Sequence, residues 1–410
     1  MRRSIGPSAT PVCVLGDVDL VRALGLAGLS CVVAAGEHDP VRFSRHVVGT
    51  LPLLDHWTQA DAIVDELLGW AADYPERPVL LAQTDGDLLL VSRHRAKLGT
   101  GFRFCIADAA LVEALLDKAR FQSLAQRLEL DVPRATTLTA ADIPQLSPDL
   151  RFPVIVKPLS RRDLAHVEEH GKAVRVDSQA GLEALWQRTS ARGGDVLVQE
   201  LVPGPESSVV SWHAYLDMAG AVIGEFCGEK IRTWPPEYGH STAVRITSAA
   251  DVARAGRDVV DRLALRGLVK VDFKRDRAGA LRLLEVNPRA TLWHHLGAVA
   301  GVNLAALVHA DLTGRPRPPV DAVRAGVTWC APREDRWAAR STGVPLHRWA
   351  AQALRCSARS GAAWDDPAPF LRGQLVALRT LTIVVLTRGT GSRTGTGQLF
   401  AGNSVTVRIE

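Results

Sequence analysis

At 410 residues the chain is too long for a single compact core to be the first expectation, so two or three lobes are expected; 47% hydrophobic and 23% charged residues describe an ordinary globular protein. The net charge of +5 is spread with no block of five basic residues, which argues against a nucleic-acid partner, and no run of about 18 uncharged apolar residues is present to span a membrane. MRRSIGPSATP at the start lacks the apolar centre of a signal peptide, and six scattered cysteines without a CxxC pair point to reduced thiols, no zinc site and a cytoplasmic location.

In chain order, PVCVLG (11–16) and CVVAAG (31–36) read as buried strands around a helical stretch, VRALGLAGLS (21–30). This βαβ pattern implies a parallel sheet that binds ligands at the carboxyl ends of its strands. The next strand is PVLLAQTD (78–85), followed by a helix with a loop, DLLLVSRHRAKLG (87–99). Asp17, Asp19 and Asp85 follow strand ends, where small ligands bind and where turns and helix caps also favour Asp. LVEALLDKARFQSLAQRLEL (111–130) keeps helical spacing throughout. FPVIVKP (152–158) is a buried strand whose polar exception, Lys157, is costly to bury unless its ammonium meets an anion. A helix (181–191) and a strand leading into a Pro-Gly turn (195–206) follow. SSVVSWHAYLD (207–217) and AVIGEFCGEKI (221–231) pair around Met218-Ala219-Gly220, and 251–267 form an amphipathic helix.

Val269–Arg289 reads as a β-hairpin. Val269, Val271 and Phe273 alternate with Lys270, Asp272 and Lys274; Asp276 to Gly279 suit the turn; Leu281, Leu283, Leu284 and Val286 return. Glu285 and Asn287, two apart, share a face of the second strand, and Asp272 lies on one face of the first. Three oxygen donors can therefore converge, a set suited to Mg²⁺. Spacing alone fits equally a surface hairpin whose polar face meets water. Beyond it, 290–314 form a Gly-interrupted helical region containing His294 and His295, 315–319 a linker, and Trp329, Trp337, Trp349 and Phe370 are expected to anchor the C-terminal piece.

LLEVNPR, with Asp272 thirteen residues before Glu285, resembles the signature closing the nucleotide-binding hairpin of the ATP-grasp superfamily, which includes D-alanine–D-alanine ligase and biotin carboxylase. The resemblance implies an α/β chain (α+β in the ATP-binding lobes). It divides into an N-terminal parallel-sheet pre-ATP-grasp domain (1–115), a lid lobe (116–200), a catalytic lobe (201–315), a packing extension (316–388) and a disordered tail (389–410). It implies ATP and Mg²⁺ (or Mn²⁺) as cofactors, with the metal on Asp272, Glu285 and Asn287. Lys118, Lys157, Lys172 and Lys230 (or its neighbour Arg232) would meet the phosphates. Gln199, Glu200 and Leu201 match the adenine-reading positions and Glu206 the ribose acid. Lys270 and Arg289 match catalytic positions, and Asp85, Ser44 and Arg45 would face substrate. One departure stands out: the phosphate loop has a single Gly, with Arg161, Arg162, His166, His170 and Lys172 in place of the usual glycines, so closure would rely on side-chain cations.

The function implied is an ATP-dependent carboxylate–amine ligase, making an amide through an acyl phosphate with release of ADP and phosphate. Its partners would be a small-molecule carboxylate and amine, without nucleic acid or membrane, and a homodimer is left open. Two rivals are a carboxyphosphate-forming enzyme, against which stands the lack of a biotin-carrier motif or second ATP-grasp half, and a nucleotide-binding regulator without turnover.

Overall fold

Short runs of Val, Leu, Cys and Ala, too apolar to face water, build the first sheet. In the computed structural model, which describes residues 10–139, 147, 149–159, 173–190, 195–320 and 322–375, these runs are β1 (Val12–Leu15), β2 (Cys31–Ala35), β3 (Val47–Pro52) and β4 (Leu80–Ala82), all parallel in the order β3-β2-β1-β4. Helices α1 (Val18–Leu26), α2 (Ala60–Ala71), α3 (Asp85–Arg93) and α4 (Arg95–Leu98) cover it. Strand β3 is missing from the sequence reading. It is an edge strand, half-exposed and interrupted by Gly49 and Pro52, so it shows no clean apolar period. Asp17 is the N-cap of α1, accepting from the Asp19 and Leu20 amides.

The helix expected over 111–130 is two helices, α5 (Ala109–Leu116) and α6 (Lys118–Arg127). Asp117 breaks it: its backbone is extended and its carboxylate accepts from the Arg120 amide as the N-cap of α6. Lys118 therefore opens a helix instead of lying mid-face. The second sheet is antiparallel, with order β5-β8-β6-β7, from β5 (Ala135–Leu138), β6 (Val154–Pro158), β7 (Val174–Val176) and β8 (Val196–Glu200). Helix α7 (Gln179–Ser190) packs on one face, over Val154, Val156, Val196 and Val198. The other face carries Ile155, Lys157, Leu197 and Gln199.

The third sheet has seven strands, order β13-β12-β9-β10-β11-β14-β15. These are β9 (Val209–Leu216), β10 (Val222–Trp234), β11 (His240–Thr247), β12 (Gly267–Arg275), β13 (Leu281–Asn287), β14 (Thr328–Cys330) and β15 (Ala358–Arg359). Helix α8 (Ala250–Arg262) turns Val252, Val259 and Val260 onto the face made by Trp212, Ala214, Val269, Val271 and Phe273. The opposite face packs on α9 (Trp293–Val299) and α10 (Leu304–Thr313), and through them on α1 and β1 of the first sheet. No single helix among the described residues is long and apolar enough to cross a membrane.

Two buried carboxylates tie the C-terminal piece to this body. Asp19 is 1% exposed and sits against the His295 imidazole (3.2 Å), Trp329 Nε1 (3.1 Å) and Ser360 Oγ (2.7 Å). Asp335, on α11 (Pro332–Ser341), is fully buried. It accepts both arms of Arg232 (2.8 and 2.6 Å), Thr242 Oγ1 (2.9 Å) and Nε1 of Trp349 (3.0 Å) on α12 (Leu346–Arg355). Arg232, open to a phosphate role on sequence grounds, is spent on this pair and on Gln352. Of the four expected anchors, Trp329 is buried and Trp349 half-buried, while Trp337 and Phe370 are 42% and 40% exposed and anchor little. Residues 376–410, with the expected tail, lie outside the described residues.

Replacing Asp335 by Ala leaves a buried guanidinium without its partner, so a loss of about 3–5 kcal/mol is expected. Urea unfolding of the full chain measures it; a loss near zero would show that Arg232 does not depend on Asp335 for its burial.

Candidate active site

The hairpin β12–β13 builds the site. Asp276 closes its turn, accepting from the Ala278 and Ala280 amides, with Gly279 at φ +85°. Strict alternation from Leu283 would put that leucine on the same face as Glu285 and Asn287. The strands avoid this with a register shift: Phe273 faces Leu283, but Asp272 faces Glu285, leaving Leu284 as the extra residue. Leu283 thereby joins the core with Phe273 and Val286, while Glu285 comes round beside Asp272. Lys270 faces Asn287 one pair along. Asp272, Glu285, Asn287 and Lys270 thus share one face, as the spacing suggested.

Asp272 is 2% exposed. Its oxygens accept from Ser211 Oγ on β9 and from Lys270 Nζ at 2.6 Å. Asn287 Nδ2 donates to Glu285 Oε1 at 3.0 Å. Among the described residues no group of three His, Cys, Asp or Glu is placed to hold a metal. The hairpin set differs in kind: two carboxylates and an amide, all hard oxygen donors, with Asp272 and Glu285 directly opposed, which fits Mg²⁺ with room left for phosphate oxygens.

Cations gather round this face. Lys157 donates to Gln199 Oε1 at 2.8 Å, and Lys118 Nζ reaches the Pro158 carbonyl at 2.7 Å just beyond it. Burial lowers Lys157 to a pKa of about 8; the Glu285 carboxylate pulls it back up and Lys118 pushes it further down. Lys157, from the second sheet, therefore lies within the electrostatic reach of the hairpin carboxylate. Lys274, two residues past Asp272, is lowered by burial, with Glu237 and Glu206 opposing and Lys230 adding repulsion. Lys230 and Glu206 therefore lie at this end of the site, and Glu206 accepts from Thr233 Oγ1. Lys274 was missed as a site residue, although its place on the Lys270–Asp272 face was readable from alternation. Ser211 was missed too, and no signal in a lone Ser on a strand could have revealed it.

Arg289 is 11% exposed in its side chain. It donates from Nε to Asp85, from Nη1 to the Gln83 carbonyl (2.7 Å) and from Nη2 to Asn287 Oδ1 (3.3 Å). Asp85, the first residue of α3, thus reaches across from the first sheet to the hairpin. Glu200 and Leu201 leave the end of β8, their amides bonded to the carbonyls of Arg134 (2.9 Å) and Pro153 (3.3 Å). Ser44 and Arg45 are brought elsewhere. Ser44 Oγ and the Arg45 amide both donate to Asp366 (2.7 and 2.8 Å), and Arg22 completes that buried cluster. These contacts dock the segment Asp365–Phe370 onto the first lobe. Lys172 lies outside the described residues.

A family model described as "ATP-grasp in the biosynthetic pathway with Ter operon" matches residues 193–331, a span that contains this hairpin whole. Over that span the chain is similar to ATP-grasp proteins. Among its relatives, the D-aspartate ligase of Enterococcus faecium (strain Aus0004) is 24% identical over 295 residues, covering 68% of this chain and 69% of the relative. A D-alanine–D-alanine ligase of Stutzerimonas stutzeri (strain A1501) is 30% identical over 180 residues, covering 42% and 54%; the chain thus matches about half of that relative's length. Two solved structures share the fold. The L-amino acid ligase from Bacillus licheniformis gives a TM-score of 0.59 at 16% identity, with 78% of each chain covered. The N5-carboxyaminoimidazole synthetase from Staphylococcus aureus gives 0.60 at 13% identity, covering 82% and 85%.

The depressed Lys157 carries a pH dependence. Its folded pKa, about 8, lies below the ordinary 10.5, so the cost of burying the charge is fully present below pH 8 and is relieved as pH rises from 8 to 10.5. Stability gains over that window, while an ATP contact that needs the ammonium is lost. The Kd of an ATP analogue is expected to climb above pH 8, approaching ~10-fold per unit, and Lys157→Arg to flatten the curve. A wild-type Kd constant to pH 9.5 would count against a Lys157–phosphate contact.

Proposed function

We propose that this chain is an ATP-grasp protein, an ATP-dependent carboxylate–amine ligase that works through an acyl phosphate. The observation that carries the reading is the direct opposition of Asp272 and Glu285, with Asn287 beside them, on the face that also bears Lys270 and meets Lys157. Such a face would take a cation, and the ammonium and guanidinium groups around it favour a polyanionic phosphate donor.

A carboxylate resists attack by an amine because its oxyanion is a poor leaving group. In the proposed reaction a carboxylate oxygen attacks the γ-phosphorus, the bond to the β,γ-bridging oxygen breaks, and ADP leaves. The amine then adds to the acyl phosphate, loses a proton and expels phosphate. Positioning and charge neutralisation do most of the work in such phosphoryl transfer. Bound to Asp272, Glu285 and Asn287, Mg²⁺ would supply neutralisation of the β and γ oxygens. Lys118, Lys157 and Lys230 are assigned to the phosphates, Gln199, Glu200 and Leu201 to adenine, and Glu206 to the ribose. Lys270 and Arg289 are assigned to charge that grows at the transferring group and the tetrahedral intermediate. Arg289 suits that role because Asp85, the Gln83 carbonyl and Asn287 hold its planar fork. Relatives whose names specify amino-acid ligation favour an amino acid or a peptide-like molecule as the carboxylate partner. The carboxyphosphate alternative has only a shared fold in its favour.

The protein incubated with ATP, Mg²⁺ and mixed amino acids is expected to release ADP and phosphate in step with an amide detected by mass spectrometry. AMP and pyrophosphate as products would refute the acyl-phosphate route. Arg289→Ala is expected to lower kcat ~10²–10³-fold with little change in ATP affinity; a variant defective only in ATP binding would remove Arg289 from the chemistry.

A further inference from the structure

His213 lies on β9, directly across the ladder from Lys270. It is fully buried, and neither ring nitrogen has a hydrogen-bond partner among the described residues. The imidazole is clamped between the Phe226 ring (centroids 4.6 Å apart, 10° between planes) and the Trp293 ring (4.9 Å, 29°). The Lys270 ammonium sits 5.7 Å from the centre of that same Trp293. Backbone choices make the column fit. A Cβ on Gly228 would stand 2.4 Å from the Trp293 ring, and one on Gly297 2.3 Å from Phe226. Packing alone would prefer an apolar ring in such a sandwich, because an unpaired polar atom in a dry interior destabilises the fold. Burial, Lys270 and His294 all oppose protonation of His213, so its ring is neutral and keeps an accepting lone pair. Lys270 has three N–H donors, and its recorded hydrogen bond goes to Asp272, a carboxylate that is also assigned to the metal.

We propose that His213 is a positioning residue for Lys270: the neutral acceptor that steadies the ammonium when Asp272 serves the cation. The inference rests on the assignment of Lys270 to the transferring group. Trp293 fixes the plane of the imidazole, and the imidazole limits how far the Lys270 head can swing. His294 is a second neutral ring at the same wall: its Nδ1 is held at Thr291, and burial brings its pKa down to about 4.

The test uses the full chain with His213→Phe, which keeps both ring stacks and removes the acceptor, and His213→Asn, which restores one. Expected for His213→Phe are a Tm equal to or above wild type, a kcat ~10–100-fold lower and a KM for ATP within about twofold. His213→Asn should recover part of kcat. Labelling of Lys270 by an amine-reactive ester, followed by peptide mass spectrometry, should rise in His213→Phe and fall back in His213→Asn. Unchanged kcat in His213→Phe, or unchanged Lys270 labelling, would overturn the proposal. If His213→Phe does not fold, His213→Asn alone decides: Lys270 labelling near wild type with kcat at least partly retained supports the acceptor role, and raised labelling with kcat lost overturns it. A wild type without ligase turnover would sink the proposed function, whereas the labelling experiment would still decide for or against His213.

Discussion

One extra residue in one strand sets which side chains share the polar face of the hairpin. Had β13 paired with β12 without a shift, Leu283 and Glu285 would point the same way, and either a leucine would enter the site or a glutamate the core. The shift at Leu284 lets the strand bury Leu283 and Val286 while presenting Glu285 across from Asp272. Other site groups are organised against that pairing: Ser211 on the neighbouring strand braces Asp272, Lys270 neutralises it, and Lys157 arrives from a separate sheet within the field of Glu285.

The hairpin was legible because its polar residues interrupt an otherwise apolar alternation, and because acid and amide types occur at fixed separations. The shift that makes it work was not, since a run such as Leu-Arg-Leu-Leu-Glu-Val-Asn accepts two registers and only packing against Phe273 chooses between them. The break at Asp117 could have been read, as Asp before a helix is a common cap, but unbroken apolar spacing on both sides concealed it. Ser44 and Arg45 make a contact that no local pattern carries. Their residue types suit substrate contacts, yet their partner, Asp366, lies 322 positions from Ser44 along the chain, and nothing local reveals such a meeting.

Charge around the site is balanced by geometry more than by number. Lys118, Lys157, Lys230, Lys270, Lys274 and Arg289 outnumber the acids facing them. Crowding and burial hold Lys157 and Lys274 below their usual basicity. A polyanion entering here would meet groups made costly by each other's presence, so binding it would relieve strain already stored in the folded chain. Arg289 contrasts with the lysines: Asp85, Gln83 and Asn287 hold its head from three directions.

Asp19 belongs to the first helix, yet its partners come from α9, from β14 and from Ser360, segments synthesised more than 270 residues later. A ribosome releasing the first lobe would expose a carboxylate whose companions do not yet exist. The flank that carries it can mature only once the far end of the polypeptide has emerged. Cutting the gene after the first sheet would leave that carboxylate to water on a bared apolar flank, and grafting the sheet onto a foreign partner would bury it without its donors.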